Sequence, residues 1–154
     1  MAERLGLPFV DLDEAIERRE GATASALFAQ RGEAYFRKCE REVTEELAQR
    51  SERIVVATGG GWVTNAGVVA LLRTRGRIIY LATSPERAVT RLEGFVETRP
   101  LLAGPDPLGA LRMLLLERRA LYEGAADVVL PTDLLTVQEV TERVVELASI
   151  SGDR

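Results

Sequence analysis

Short apolar runs alternate with amphipathic stretches along the chain. Phe9 to Leu12, Arg53 to Ala57, Arg77 to Leu81 and Asp127 to Leu130 each read as a strand, Arg53 to Ala57 being of the buried, continuously apolar kind. Between them, apolar residues return every three to four positions, the helical repeat. Asp13 to Arg19 reads as a short helix stopped at Gly21, and Ser25 to Arg31 as another stopped at Gly32. Glu33 to Arg50 reads as a longer helix with Phe36, Val43 and Leu47 on one face. Thr64 or Asn65 is placed to cap the next helix, which ends at Gly76, and Ser84-Pro85 opens another, Pro suiting a first turn. Leu108 to Tyr122 is helical, and Thr136 caps a last helix with Val137, Val140, Val144 and Leu147 facing inward. Glu93 to Asp106, with two glycines and two prolines, reads as a mobile loop. This alternation predicts an α/β fold, a parallel sheet flanked by helices in three layers. One domain is expected over residues 1–150, with 151–154 frayed.

Composition narrows the chemistry. The chain has 154 residues, 46% hydrophobic and 29% charged, which suits one globular domain with a core. A net charge of -4 gives no reason to expect a nucleic-acid partner. The absence of His excludes His-based triads and His-ligated metals, and the single Cys39 excludes an intrachain disulfide or a multi-Cys zinc site. Cys39 falls in a helical pattern and reads as a buried thiol. With no leader-like segment and no long apolar run, the expectation is a cytoplasmic monomer with no membrane partner. All basic residues but Lys38 are Arg, the better bidentate partner for carboxylate and phosphate.

Five groups of residues carry candidate chemistry. Asp11 and Asp13 stand at the C-terminal end of the first strand, where ligands bind in open α/β sheets. One could serve a hydrated Mg2+ and the other accept a hydrogen bond from an acceptor hydroxyl; equally, Asp13 could cap the next helix and Asp11 be solvated. Arg37 and Glu40 are three apart and share a helix face, as a surface ion pair or as an anion-gripping Arg with its orienting carboxylate. Phe28 and Phe36 are either core or an apolar wall under a ring. Gly59-Gly60-Gly61 after a strand suggests bare backbone approaching a ligand. Arg99 before Pro100 suits a closing lid, Arg118 could complete a carboxylate clamp with Arg37, and Arg91 could reach a nucleotide.

In this order and spacing the blocks LGLPFVDLDEAIERREG, GEAYFRKCE, ATGGGWVT, TRPLLAG and ERRALY resemble the shikimate kinase family of P-loop kinases, from about Leu5 to Leu147. The resemblance implies transfer of the ATP γ-phosphoryl group to the 3-hydroxyl of shikimate with Mg2+. It implies that Asp13 holds the accepting hydroxyl and Asp11 the Mg2+ environment, through water. It further implies that Arg37 and Arg118 clamp the shikimate carboxylate, that Gly59, Gly60 and Gly61 line the ring, that Glu40 holds Arg37, and that Arg99 is the lid arginine near the phosphates. The segment from Arg91 to Arg99 is apolar and acidic where a polar or basic lid is frequent in the family. No G-x-x-x-x-G-K-[ST] phosphate loop occurs in the sequence. The family places that loop after a first strand, central in its sheet, so a unit of roughly 25–30 residues is expected upstream of Met1. Without it the chain is expected to be inactive or impaired. Two alternatives follow: a shikimate-binding remnant without turnover, and another P-loop kinase for a small molecule such as gluconate or a nucleoside.

Overall fold

Gly6, in the left-handed region at φ 63°, closes helix α1 (Ala2–Leu5) and turns the chain into strand β1 (Phe9–Asp11). The structure is a computed structural model that describes residues 1–92, 102 and 104–149. Helix α2 (Leu12–Glu20) follows directly, because Asp11 Oδ1 accepts a hydrogen bond from the Glu14 amide at 3.2 Å. The cap is therefore Asp11, not Asp13. Gly21, at φ 66°, ends α2.

Helix α3 (Ala24–Ala48) is capped by Thr23 and broken at Gly32, whose φ of 79° and ψ of 169° no helix contains. Two expected helices thus run on as one hydrogen-bonded element with a kink. Strand β2 (Val55–Ala57) leads through the glycines into a 3-10 turn (Trp62–Thr64) and helix α4 (Ala66–Arg75). Asn65 occupies the N-cap position of α4, but its side chain makes no cap bond and instead donates to the Arg37 carbonyl at 3.2 Å. Strand β3 (Ile79–Ala82) is followed by helix α5 (Pro85–Arg91), capped by the Ser84 hydroxyl with Pro85 in its first turn. Helix α6 (Pro107–Ala125), strand β4 (Val128–Pro131) and helix α7 (Val137–Ser149) complete the described chain. Thr136 and Glu139 form a reciprocal capping box at the start of α7. Val144 is buried in α7, but Val137 is 86% exposed, contrary to the inward face expected for it. It sits in the first turn, beyond the reach of the packed layer. Most of the expected loop from Glu93 to Asp106, including Arg99, lies outside the described residues.

Both strand pairs are parallel. β1 pairs with β2 and β3 with β4, as two separate two-stranded sheets among the described residues. The core gathers Leu12 and Ile16 from α2, Phe36 and Val43 from α3, and Trp62 and Val68 beside the glycine loop. Around the α4–β3 junction, three arginines each reach the C-terminal end of another helix. Arg73 donates to Gly124 O of α6, Arg75 to Ala48 O of α3 and Arg77 to Leu147 O of α7. Each satisfies a carbonyl left without a helical partner and lies favourably against the negative end of that helix.

Candidate active site

Register builds the first half of the site. Asp11 is paired with Ala57, so Asp13 and Gly59, each two residues further on, leave the sheet side by side. The contact is tight: a Cβ added to Gly59 would stand 2.8 Å from Asp13 Oδ1. Only a bare α-carbon lets that carboxylate lie on the loop.

The second half comes from α3. Arg37, 17% exposed, is held on two sides by carboxylates of its own helix. Nη1 donates to Glu40 Oε1 at 2.9 Å, while Nε and Nη2 both donate to Glu33 Oε1 at 3.3 and 3.1 Å. A Cβ on Gly61 would lie 1.9 Å from Arg37 Nη2, so the guanidinium rests against the glycine loop. Glu40 is fully buried, its Oε1 taken by Arg37 and its Oε2 without a hydrogen-bond partner among the described residues. Burial pushes its carboxyl above the usual range, and the Arg37 charge opposes that rise. The Arg37–Glu40 pair is thus no exposed surface bridge. The Arg37 side chain also borders a cleft of 370 Å3 with Lys38, Arg41 and the start of α4.

Helix α6 supplies the third side. The Tyr122 hydroxyl donates to Gly60 O at 2.5 Å, and Arg118 Nη1 donates to the same carbonyl at 3.4 Å. The Tyr122 ring stacks on Tyr80 of β3 with centroids 4.9 Å apart, which fixes where that hydroxyl points. Asp13, Arg37, the three glycines and Arg118 therefore meet in one place. Phe36 belongs to the buried core, and Phe28 packs on it with ring centroids 4.8 Å apart. Cys39 is buried, and burial pushes its thiol up, as befits an inert side chain.

Arg91 stands apart from this cluster. Its Nη1 and Nη2 donate to Thr132 Oγ1 and O at 3.0 and 2.7 Å, tying α5 to the end of β4. With Arg87 and Thr83 it borders a groove of 460 Å3 at the C-terminal ends of β3 and β4. Arg99 lies outside the described residues. Among the described residues no group of three or more carboxylate or thiol ligands could enclose a metal. Asp11 spends one oxygen on its helix cap.

Sequence reasoning missed Glu33 and Tyr122. Glu33 was within reach of it, since it precedes Arg37 by four positions on one helix face. Tyr122 was not, because its partner is a backbone carbonyl 62 residues away.

A carboxylate on a tight glycine loop, faced by two arginines, stands at the C-terminal ends of the parallel strands β1 and β2, where α/β proteins bind their ligands. The chain belongs to the shikimate kinase family, whose model matches residues 1–149. It is 42% identical over 155 residues to a shikimate kinase of Symbiobacterium thermophilum, covering 100% of this chain and 88% of that protein. To a shikimate kinase of Francisella tularensis subsp. novicida it is 37% identical over 144 residues, covering 94% of this chain and 81% of that protein. Among solved structures, shikimate kinase from Acinetobacter baumannii in complex with shikimate superposes with a TM-score of 0.91 at 35% identity, over 99% of this chain and 84% of that one. Shikimate kinase from Bacteroides thetaiotaomicron gives a TM-score of 0.83 at 30% identity, over 97% and 86%. These likenesses establish a kinase family and its α/β fold with parallel strands flanked by helices.

Proposed function

We propose that this protein binds shikimate between the glycine loop, Arg37 and Arg118, and presents its 3-hydroxyl for phosphorylation. The observation that carries this is that Asp13 lies on Gly59 and the Arg37 guanidinium on Gly61, two residues apart on one loop. In the proposal Arg37 and Arg118 take the carboxylate of the ring, bidentate pairing being what guanidinium does best. Asp13 accepts the hydrogen bond of the reacting hydroxyl and so aims its oxygen. Gly59, Gly60 and Gly61 leave room for the ring, Phe36 and Phe28 back it, and Glu40 holds Arg37 from the buried side.

When bound, ATP would supply the γ-phosphoryl group and Mg2+ would neutralise its charge. The residues fit these two groups unequally. Magnesium at phosphates needs only one or two carboxylates besides water, and Asp11 Oδ2 can serve through water. The triphosphate is different, because the described residues offer no glycine cradle with its lysine. The groove beside Arg87 and Arg91 suits a nucleoside, with Arg91 as a strut in its wall, and Arg99 stays the proposed lid arginine. The same proposal makes shikimate the partner of a cytoplasmic monomer.

The test is calorimetric titration of shikimate into this chain and into Arg37→Ala, beside an assay of shikimate-dependent ADP release. Saturable binding that Arg37→Ala weakens at least about tenfold is expected, since a lost charged hydrogen bond costs about 1.5–3 kcal/mol. Equal or tighter binding of gluconate or a nucleoside would overturn the reading. Binding without ADP release would support the acceptor reading and separate it from phosphoryl transfer.

A further inference from the structure

Arg37 already carries a carboxylate where a substrate carboxylate would dock. Its two neighbours are unlike each other. Glu40 is fully buried and cannot leave. Glu33 is 49% exposed at its side chain and can swing into water. Glu33 also binds the side fork of the guanidinium, Nε and Nη2, through a single oxygen at 3.3 and 3.1 Å. A ligand carboxylate could give each nitrogen its own oxygen, the stronger parallel arrangement. Nη2 is the nitrogen that faces Gly61, on the loop side of the site.

We propose that Glu33 is an internal competitor: its carboxylate occupies the Nε and Nη2 donors of Arg37 in the free protein and is displaced by the carboxylate of the acceptor. This rests on the acceptor reading of the site and adds a residue to it. The physical consequence is a cost charged to every anion that uses those donors. The Glu33 side of the pair is half in water, so the cost is small and the exchange is easy. Glu33 also keeps the fork paired and oriented while the site is empty, so that the guanidinium is held ready rather than free to wander. A ligand without a carboxylate has nothing to exchange for Glu33 and is indifferent to it.

The experiment is calorimetric titration of shikimate and of its neutral methyl ester into the chain, Glu33→Gln, Glu33→Ala and Arg37→Ala, with melting temperatures of all four. Expected is a gain in shikimate affinity of about 1.5- to 5-fold in Glu33→Gln and at least as much in Glu33→Ala. The ester should show no gain, and the melting temperature should be equal or slightly lower. Affinity and stability moving in opposite directions is a result that a purely structural role would not give. Unchanged or weaker shikimate binding in both Glu33 variants, with Arg37→Ala still losing it, would overturn the inference and leave the acceptor site standing. No shikimate binding by the chain or by either Glu33 variant would overturn both.

Discussion

Single atoms decide how this site is assembled. The loop from Gly59 to Gly61 contributes little chemistry of its own, and its value is the absence of side chains. Asp13 lies against Gly59 and the Arg37 guanidinium against Gly61, both closer than a Cβ permits. Gly60 turns its carbonyl to Tyr122 and Arg118. Replacing Gly61 by Ala would put a methyl group within 1.9 Å of Arg37 Nη2 and 2.6 Å of Cζ, so the guanidinium must move. The far end of a flexible side chain yields easily, so the fold should survive and the site should not. Shikimate affinity is expected to fall about tenfold or more, with a melting temperature within a few degrees of the parent, a misplaced contact costing far more in a preorganised site than in a fold. Calorimetry and a thermal melt together check it, and retained affinity would mean that Arg37 need not lie on the loop to bind.

At the scale of elements, the apolar pattern named each strand described here and every helix except α1 and the 3-10 turn at Trp62–Thr64, with α3 read as two helices, within one to three residues at most ends. Ser84, Thr136 and Gly76 were readable because their work is local: two caps bond an amide three residues on, and the stop follows the last helical turn. Of the two readings left open for Asp11 and Asp13, the one that made Asp13 the cap and Asp11 a solvated carboxylate does not hold, since two aspartates so close to a helix start are equally good cap candidates until the strand end is fixed. Val137 was misread because the helical repeat fixes a face but not where the packed layer ends. Gly32 shows the limit in the other direction. The sequence marks a stop there, and the chain does leave helical geometry, yet α3 continues on the far side. That backbone, φ 79° and ψ 169°, is nearly exclusive to glycine, and a side chain in it costs about 1–3 kcal/mol. Gly32→Ala should therefore lower the melting temperature by roughly 3–10 °C. No atom lies near enough to a Cβ there to clash, so the loss would be purely conformational. An unchanged melting temperature would show that α3 straightens at no cost.

Across the whole molecule, long-range bonds were the part the sequence concealed. Arg73, Arg75 and Arg77 look like ordinary surface charges around a glycine, yet they close the ends of α6, α3 and α7, between 27 and 70 residues away. The same distance hid the burial of Glu40, which turns the global stability into a function of pH. Its folded carboxyl titrates above the usual range because burial disfavours its charge. The folded state therefore keeps this proton after the unfolded state has released it. That contribution to stability is full below the unfolded value and is lost as pH rises through the folded one. Glu20, Glu86, Asp133 and Glu139 run the other way: hydrogen bonds hold their carboxyls low, so their contribution is present above the unfolded values and lost as pH falls through the folded ones. Those four lie at the surface, where solvent screens them. Glu40→Gln keeps the shape and the oxygen that faces Arg37 but removes the titration. Relative to the parent it should gain stability as pH rises from the unfolded carboxyl value through the raised folded one, the difference between the two staying constant on either side of that window. Urea unfolding at a series of pH values measures the difference directly. Parallel profiles for the parent and Glu40→Gln would mean that Glu40 shares its charge with Arg37 so completely that burial leaves no trace in its titration.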